Sequence, residues 1–166
     1  MGESLEVEIG NLLRLNSRKL ATAESCTGGL IGHRLTTIPG SSDYYLGGAV
    51  AYSYDAKVAL LDVSWDTLQT YGAVSRETVL EMARGIANRL GADIAISVSG
   101  IAGPGGAMPG KPVGTVWVGL WARDGEWARV FHFASSREGN KSLSAQAALQ
   151  FVFDYLQGKR TMEADI

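Results

Sequence analysis

The sequence predicts an α/β fold, a three-layer α/β/α sandwich around a mixed, mostly parallel sheet of about five strands. Three observations predict it. Segments with apolar residues at helical spacing alternate with short apolar runs that read as strands. Two late runs are joined through Asp124-Gly125, a hairpin signal that makes the sheet mixed rather than all parallel. Finally, 166 residues with 46% hydrophobic and 19% charged content suit a single domain over 1–166. A chain of this length buries roughly 68–70% of its unfolded surface, so it needs no disulfide or metal staple.

The elements follow in order. Leu5, Ile9, Leu12 and Leu13 recur on one helical face, behind Ser4 as a cap and with Glu6 and Glu8 in the first turn. A strand over 19–23 runs into Glu24-Ser25-Cys26-Thr27-Gly28-Gly29, and 30–37 is helical. Pro39-Gly40-Ser41-Ser42-Asp43 is a turn cluster. Residues 44–54 read as a strand with a bulge or close contact at Gly47-Gly48, and 55–61 as one or two helical turns. Ser75 caps a helix over 76–90, which Gly91 stops. The unbroken apolar run 92–99 is a buried strand. A glycine-rich loop spans 100–114, strands over 115–122 and 127–133 form the hairpin, and a helix over 140–156 closes an ordered core of about 4–157. The polar tail 158–166 is expected to fray.

Composition excludes several classes of function. Fifteen Lys+Arg against 17 Asp+Glu give a net charge of -2 with no basic stripe, which argues against nucleic-acid and membrane-surface partners. The longest apolar run, 113–122, is far below the ~20 residues of a membrane span. The first residues lack the basic and apolar regions of a signal peptide, so the chain reads as soluble and cytoplasmic. Cys26 is the single cysteine, and no His, Asp and Glu share metal-ligand spacing, so neither a disulfide nor a metal site is expected. Trp65, Trp121 and Trp127 look exposed and would suit a homo-oligomer interface. The surplus is glycine, 21 residues, much of it in 28–48 and 100–114, where backbone must pass close to something.

Three segments carry candidate chemistry. At 24–29 a strand meets a helix, where unpaired N–H groups favour an anion or an oxyanion, and Gly28 and Gly29 let a ligand approach the backbone. The plainer reading is an N-cap. Ser25 and Cys26 compete as nucleophile. A helix N-terminus would lower the thiol pKa, yet a catalytic cysteine wants a histidine, and His33 and His132 lie inside a helix and a late strand. Ser25 also needs a base, and the remaining choice is a lysine. Lys57 follows a strand end, where α/β ligands bind, and Tyr52 is near enough in sequence to hydrogen-bond its amine. A lysine acts as base only when desolvation or a nearby cation lowers its pKa from about 10.4; otherwise Lys57 is a solvated helix residue. The loop from Ser99 through Gly100 and Gly103 to Lys111 and Gly114 would offer N–H groups and a charge to a phosphate, or serve as a linker. It matches neither the P-loop nor the dinucleotide pattern. Arg137 and Lys141 are a further basic pair, readable as an anion site or as a solvated face.

Six ordered stretches, 23–29, 39–42, 51–53 with 56–57, 71–75, 99–104 and 111–116, together closely resemble the C-terminal domain of the CinA family, whose stand-alone members include nicotinamide-nucleotide amidases. The resemblance implies hydrolysis of the carboxamide of nicotinamide mononucleotide, a pyridine nucleotide, without a cofactor. It puts the family's Ser-Tyr-Lys set on Ser25, Tyr52 and Lys57: nucleophile, orienting hydroxyl and base. Backbone groups of Cys26, Thr27 and Gly28 would hold the oxyanion, with the glycine-rich loop or Arg137 and Lys141 on the phosphate. The chain departs from the family pattern at Tyr54, usually Asn, at Gly105, Ala107, Met108 and Gly110 in the loop, and at Lys141, where Arg is frequent. These changes touch substrate rather than chemistry, and an amide of a different pyridine or sugar is a third possibility. The alternative class is a non-catalytic nucleotide-binding or protein-interaction module linked to competence or DNA damage. The unchanged Ser-Tyr-Lys set counts against it.

Overall fold

Five strands form one sheet in the order β2-β1-β3-β4-β5, comprising β1 (Leu20–Glu24), β2 (Tyr45–Val50), β3 (Ile94–Gly100), β4 (Thr115–Ala122) and β5 (Gly125–His132). The computed structural model describes residues 2–159, so most of the polar tail lies outside the described residues. β1 pairs in parallel with β2 and β3, whereas β4 runs antiparallel to both β3 and β5. Four strands therefore point one way and only β4 opposes them, the mixed, mostly parallel sheet that the sequence implied.

Helices cover both faces: α1 (Leu5–Leu15), α2 (Leu30–Thr36), α3 (Tyr54–Leu61), α4 (Trp65–Tyr71), α5 (Arg76–Leu90) and α6 (Arg137–Leu156). Ile9, Leu13, Ile31, Leu35, Leu149 and Val152 of α1, α2 and α6 pack on Leu20, Ile94, Ile96 and Val98. On the other face Leu61, Leu68, Met82 and Ile86 of α3 to α5 meet Ala21, Ala23 and Ala95. Large residues thus face one layer and alanines the other, a consequence of the two-residue strand period. The small face lets α5 approach closely, since a Cβ on Gly119 would lie 2.6 Å from Val79 O, and Gly85 brings α5 against the end of α3, where a Cβ would overlap the Leu61 carbonyl. β1 is buried along its whole length, as continuous apolar runs require, while β2 alternates as an edge strand.

Differences from the sequence expectations lie at element ends. The strand expected over 44–54 stops at Val50, because Ser53 caps α3 by accepting the Ala56 N–H at 3.0 Å. α4 was not anticipated; Ser64 caps it through the Thr67 N–H, 3.0 Å. α6 starts at Arg137 rather than Asn140, capped by Ser136. Trp121 and Trp127 are half-buried against the two cores, so of the three tryptophans only Trp65 is exposed.

Candidate active site

The loops after β1 and β3 leave neighbouring strands in opposite directions, one toward β2 and one toward β4. Between the carboxyl ends of such strands lies the usual ligand crevice of open α/β sheets. These two loops are the segments singled out from the sequence. They enclose a cavity of about 250 Å³ whose lining includes Ser25, Cys26, Tyr52, Lys57, Ser99 and Arg137.

Ser25 extends β1 by one residue, its N–H donating to Val98 O at 3.0 Å, and it is 7% exposed. Lys57, in α3, is 1% exposed and reaches up beneath it. Its Nζ lies 3.0 Å from Ser25 Oγ, 2.8 Å from Ala51 O and 3.3 Å from Tyr52 O. A neutral amine has two hydrogens and one lone pair. With the hydrogens on the two carbonyls, the lone pair is left for the Ser25 hydroxyl proton. Among the described residues no carboxylate pairs with this amine, and burial brings its pKa down to about 8. The solvated-helix alternative for Lys57 does not hold.

Cys26 is poorly suited to the role for which it competes with Ser25. Burial raises its thiol to about 11, so at neutral pH it is protonated and a poor nucleophile. At the start of α2, where an anion or oxyanion site was expected, two of the N–H groups are already taken. Glu24, 2% exposed, accepts the Ile31 and Gly32 N–H groups, 3.0 Å each, and so occupies the helix terminus itself. Gly28 N–H turns back to Ser25 O at 3.0 Å. The Cys26 and Thr27 N–H groups have no partner among the described residues and are the donors free beside Ser25.

The remaining candidates divide. Tyr52 turns its hydroxyl away from the amine: it accepts from Arg137 Nη2 at 3.0 Å, while its carbonyl serves Lys57. Arg137 also donates to Gly103 O at 2.7 Å, and Gly100 and Gly103 line the cavity. Lys111 does not; its Nζ donates to Tyr71 O at 2.7 Å and ties the loop to the end of α4. Lys141, with Thr27, Gly28 and Gly29, lines a neighbouring cavity. Sequence reasoning missed Ala73 and Val74, which close one wall and carry no chemical signal. It also missed Asn140, fully buried, which donates to Ala102 O at 3.0 Å and pins the loop to α6. Among the described residues no three His, Cys, Asp or Glu cluster as a metal site would, and no helix is long and apolar enough to cross a membrane.

The family model of the CinA C-terminal domain matches residues 2–156. The chain belongs to that family. A CinA-like protein of Chlorobium limicola is 48% identical over 159 residues, covering 93% of this chain and 37% of the relative. A CinA-like protein of Salinibacter ruber is 48% identical over 147 residues, covering 89% and 36%. The chain thus spans less than two fifths of the length of these CinA relatives. Two crystal structures are similar throughout: competence damage-inducible protein A from Klebsiella pneumoniae, with TM-score 0.90, 36% identity and coverage of 94% of this chain and 97% of that one, and the competence/damage inducible protein from Agrobacterium tumefaciens, with 0.85, 37%, 95% and 98%. The CinA domain fold is therefore shared across its full extent.

Proposed function

We propose that the chain is a serine/lysine amidohydrolase that converts nicotinamide mononucleotide to nicotinate mononucleotide and ammonia. The observation that carries the proposal is the buried Lys57 amine, 3.0 Å from Ser25 Oγ and without a carboxylate partner. A binding module has no need of a buried amine whose pKa is lowered beside a serine, whereas amide hydrolysis does.

Neutral Lys57 takes the proton from Ser25 as Oγ attacks the carboxamide carbon, giving a tetrahedral oxyanion and a Lys57 ammonium. The Cys26 and Thr27 N–H groups are the donors available to that oxyanion, each worth about 2.7–4 kcal/mol. Collapse breaks the C–N bond, and Lys57 returns its proton to nitrogen, which leaves as ammonia. Water then attacks the Ser25 ester while Lys57 takes its proton. The second collapse expels Ser25 Oγ, which takes the proton back from Lys57, and the acid released loses its remaining proton to solvent to become the carboxylate. Tyr52 acts at a remove: its carbonyl holds the Lys57 amine, and its hydroxyl, bonded to Arg137, faces the ligand.

The test is to incubate the purified chain with nicotinamide mononucleotide and measure ammonia together with nicotinate mononucleotide. One-to-one release, lost in Ser25→Ala, is the expected result. No release, or full activity in Ser25→Ala, sinks the assignment.

A further inference from the structure

We propose that Glu24 is a positioning residue for the reaction at Ser25: its buried carboxylate fixes the turn that presents the Cys26 and Thr27 N–H groups to the oxyanion. The proposal rests on Ser25 as the nucleophile of the amidase reading, and not on which amide is the substrate.

The helices differ in how they begin. α3, α4, α5 and α6 are each capped by the serine directly before them, Ser53, Ser64, Ser75 and Ser136, whose side chain accepts one N–H of the first turn. α2 is preceded by Gly29, with φ +101°, which has no side chain to do this. Its first turn is served instead by Glu24, from the far side of the nucleophile. Glu24 Oε1 accepts the Ile31 N–H and Oε2 the Gly32 N–H, each at 3.0 Å. Gly32 makes room for this arrangement, since a Cβ there would lie 2.8 Å from Tyr45 Oη and 3.6 Å from Glu24 Oε2.

Capping alone does not call for a glutamate. A serine satisfies a helix start without bringing a charge inside. Glu24 is 2% exposed and no Lys or Arg pairs with it among the described residues, so its burial is costly and is offset by two N–H bonds and the positive end of α2. What a carboxylate from residue 24 adds is closure. The Glu24 backbone is fixed in the sheet: its carbonyl accepts the Ala51 N–H at 2.8 Å, and the next N–H, of Ser25, donates to Val98 O at 3.0 Å. Its side chain is fixed on α2. One residue therefore ties both ends of segment 24–32, and the nucleophile and both oxyanion donors lie between those ends. Within it Gly28 N–H donates to Ser25 O at 3.0 Å and Leu30 N–H to Thr27 O at 3.1 Å, while the Cys26 and Thr27 N–H groups stay available. Ala51 extends the same frame to the base, since its carbonyl accepts from Lys57 Nζ at 2.8 Å. Oxyanion donors act from fixed positions, and a misplacement of about 1 Å costs on the order of a hundredfold in rate.

Glu24→Gln keeps the size of the side chain but sets an NH2 group against one of the two N–H donors. Its effect is read in two ways: kcat and KM with nicotinamide mononucleotide, and the rate at which a small alkyl fluorophosphonate labels Ser25, located by peptide mass. In the labelling Ser25 Oγ displaces fluoride from phosphorus, so it needs the nucleophile and the oxyanion donors but no substrate. Glu24→Gln should lower kcat and the labelling rate each at least about thirtyfold, with KM within about threefold. Glu24→Asp keeps the charge but is one methylene shorter, and should slow labelling at least about fivefold. Ser64→Ala, which removes the cap of α4 away from the cavity, should lower the thermal midpoint yet leave labelling within about twofold. A parent labelling rate in either Glu24 variant overturns the proposal. So does an equal slowing in Ser64→Ala, or a loss in Glu24→Gln that lies wholly in KM. Labelling that depends on Glu24 without ammonia release leaves this proposal standing and removes the substrate reading. Ammonia release with kcat and labelling indifferent to Glu24 removes this proposal alone, and a parent not labelled at Ser25 overturns it together with the nucleophile.

Discussion

Two cavities lie at opposite ends of the sheet, and the larger is the chemically quieter. Beyond the amino ends of β1 and β3, Arg18, Asp124, Trp127 and Tyr155 line about 600 Å³. Their polar groups satisfy one another: Arg18 Nη1 donates to Tyr155 Oη at 2.8 Å, and that hydroxyl donates to Asp124 Oδ1 at 2.6 Å. The Trp127 and Tyr155 rings lie 5.6 Å apart and seal the remaining wall. At the carboxyl ends, less than half that volume holds a buried amine with a serine hydroxyl and two carbonyls but no counter-charge. The proposed chemistry lies where a buried amine has hydrogen-bond partners but no counter-charge, not where the cavity is larger.

The strongest way to break this contrast is to remove the two reacting groups. Ser25→Ala and Lys57→Met should each lower amide hydrolysis by at least about 1,000-fold, and the double variant should be no worse than either single one, because the pair acts as a unit. Additive losses in steady-state kinetics would separate the two residues. Arg18→Ala, at the quiet cavity, should leave hydrolysis within about twofold while lowering unfolding free energy by about 0.5–1.5 kcal/mol in denaturant titration.

The pH dependence sharpens the contrast. With the Lys57 pKa brought down to about 8, kcat/KM should rise with pH and level off above that value. Stability should move with it. Between about 8 and the ordinary value of 10.5, the unfolded chain binds the Lys57 proton and the folded chain does not. Unfolding free energy therefore gains with rising pH, by at most about 1.4 kcal/mol per unit. Below about 8 both forms hold the proton and this contribution stays flat. Cys26 opposes the gain above 9, where its folded thiol, raised to about 11, keeps a proton that the unfolded one loses. The cleanest window is therefore pH 8–9, and Lys57→Met should flatten the slope there.

The smallest effect is expected at Lys111. Because its amine is spent on Tyr71 O, Lys111→Ala should change KM less than about threefold, as measured with nicotinamide mononucleotide. A tenfold rise would bring the loop lysine back into substrate binding. Cys26→Ala should likewise retain most activity.

The sequence by itself determined the layering, because continuous apolar runs at β1 and β3 can only be central strands and the helical faces between them must cover both sides. It also made Ser25 and Lys57 candidates by their places at element ends, but left Cys26 as a rival nucleophile and a solvated helix residue as the other reading of Lys57. Only the family resemblance put a Ser-Tyr-Lys set on them. Local signals marked the helix over 76–90 through Ser75 and Gly91, but they did not mark α4, whose seven residues are held by packing of Leu68 rather than by propensity. Which way side chains turn was beyond the sequence. Glu24 has no assigned role until the fold aims it at α2, and Tyr52 reads as a partner of the lysine until its hydroxyl is found on Arg137. Lys111 and Lys141, equivalent as sequence, separate only when one meets a carbonyl and the other lines a glycine-floored cavity. Type and spacing report what a residue can do. Burial and hydrogen-bond satisfaction, set by contacts between segments far apart in the chain, decide whether it is left free to do it.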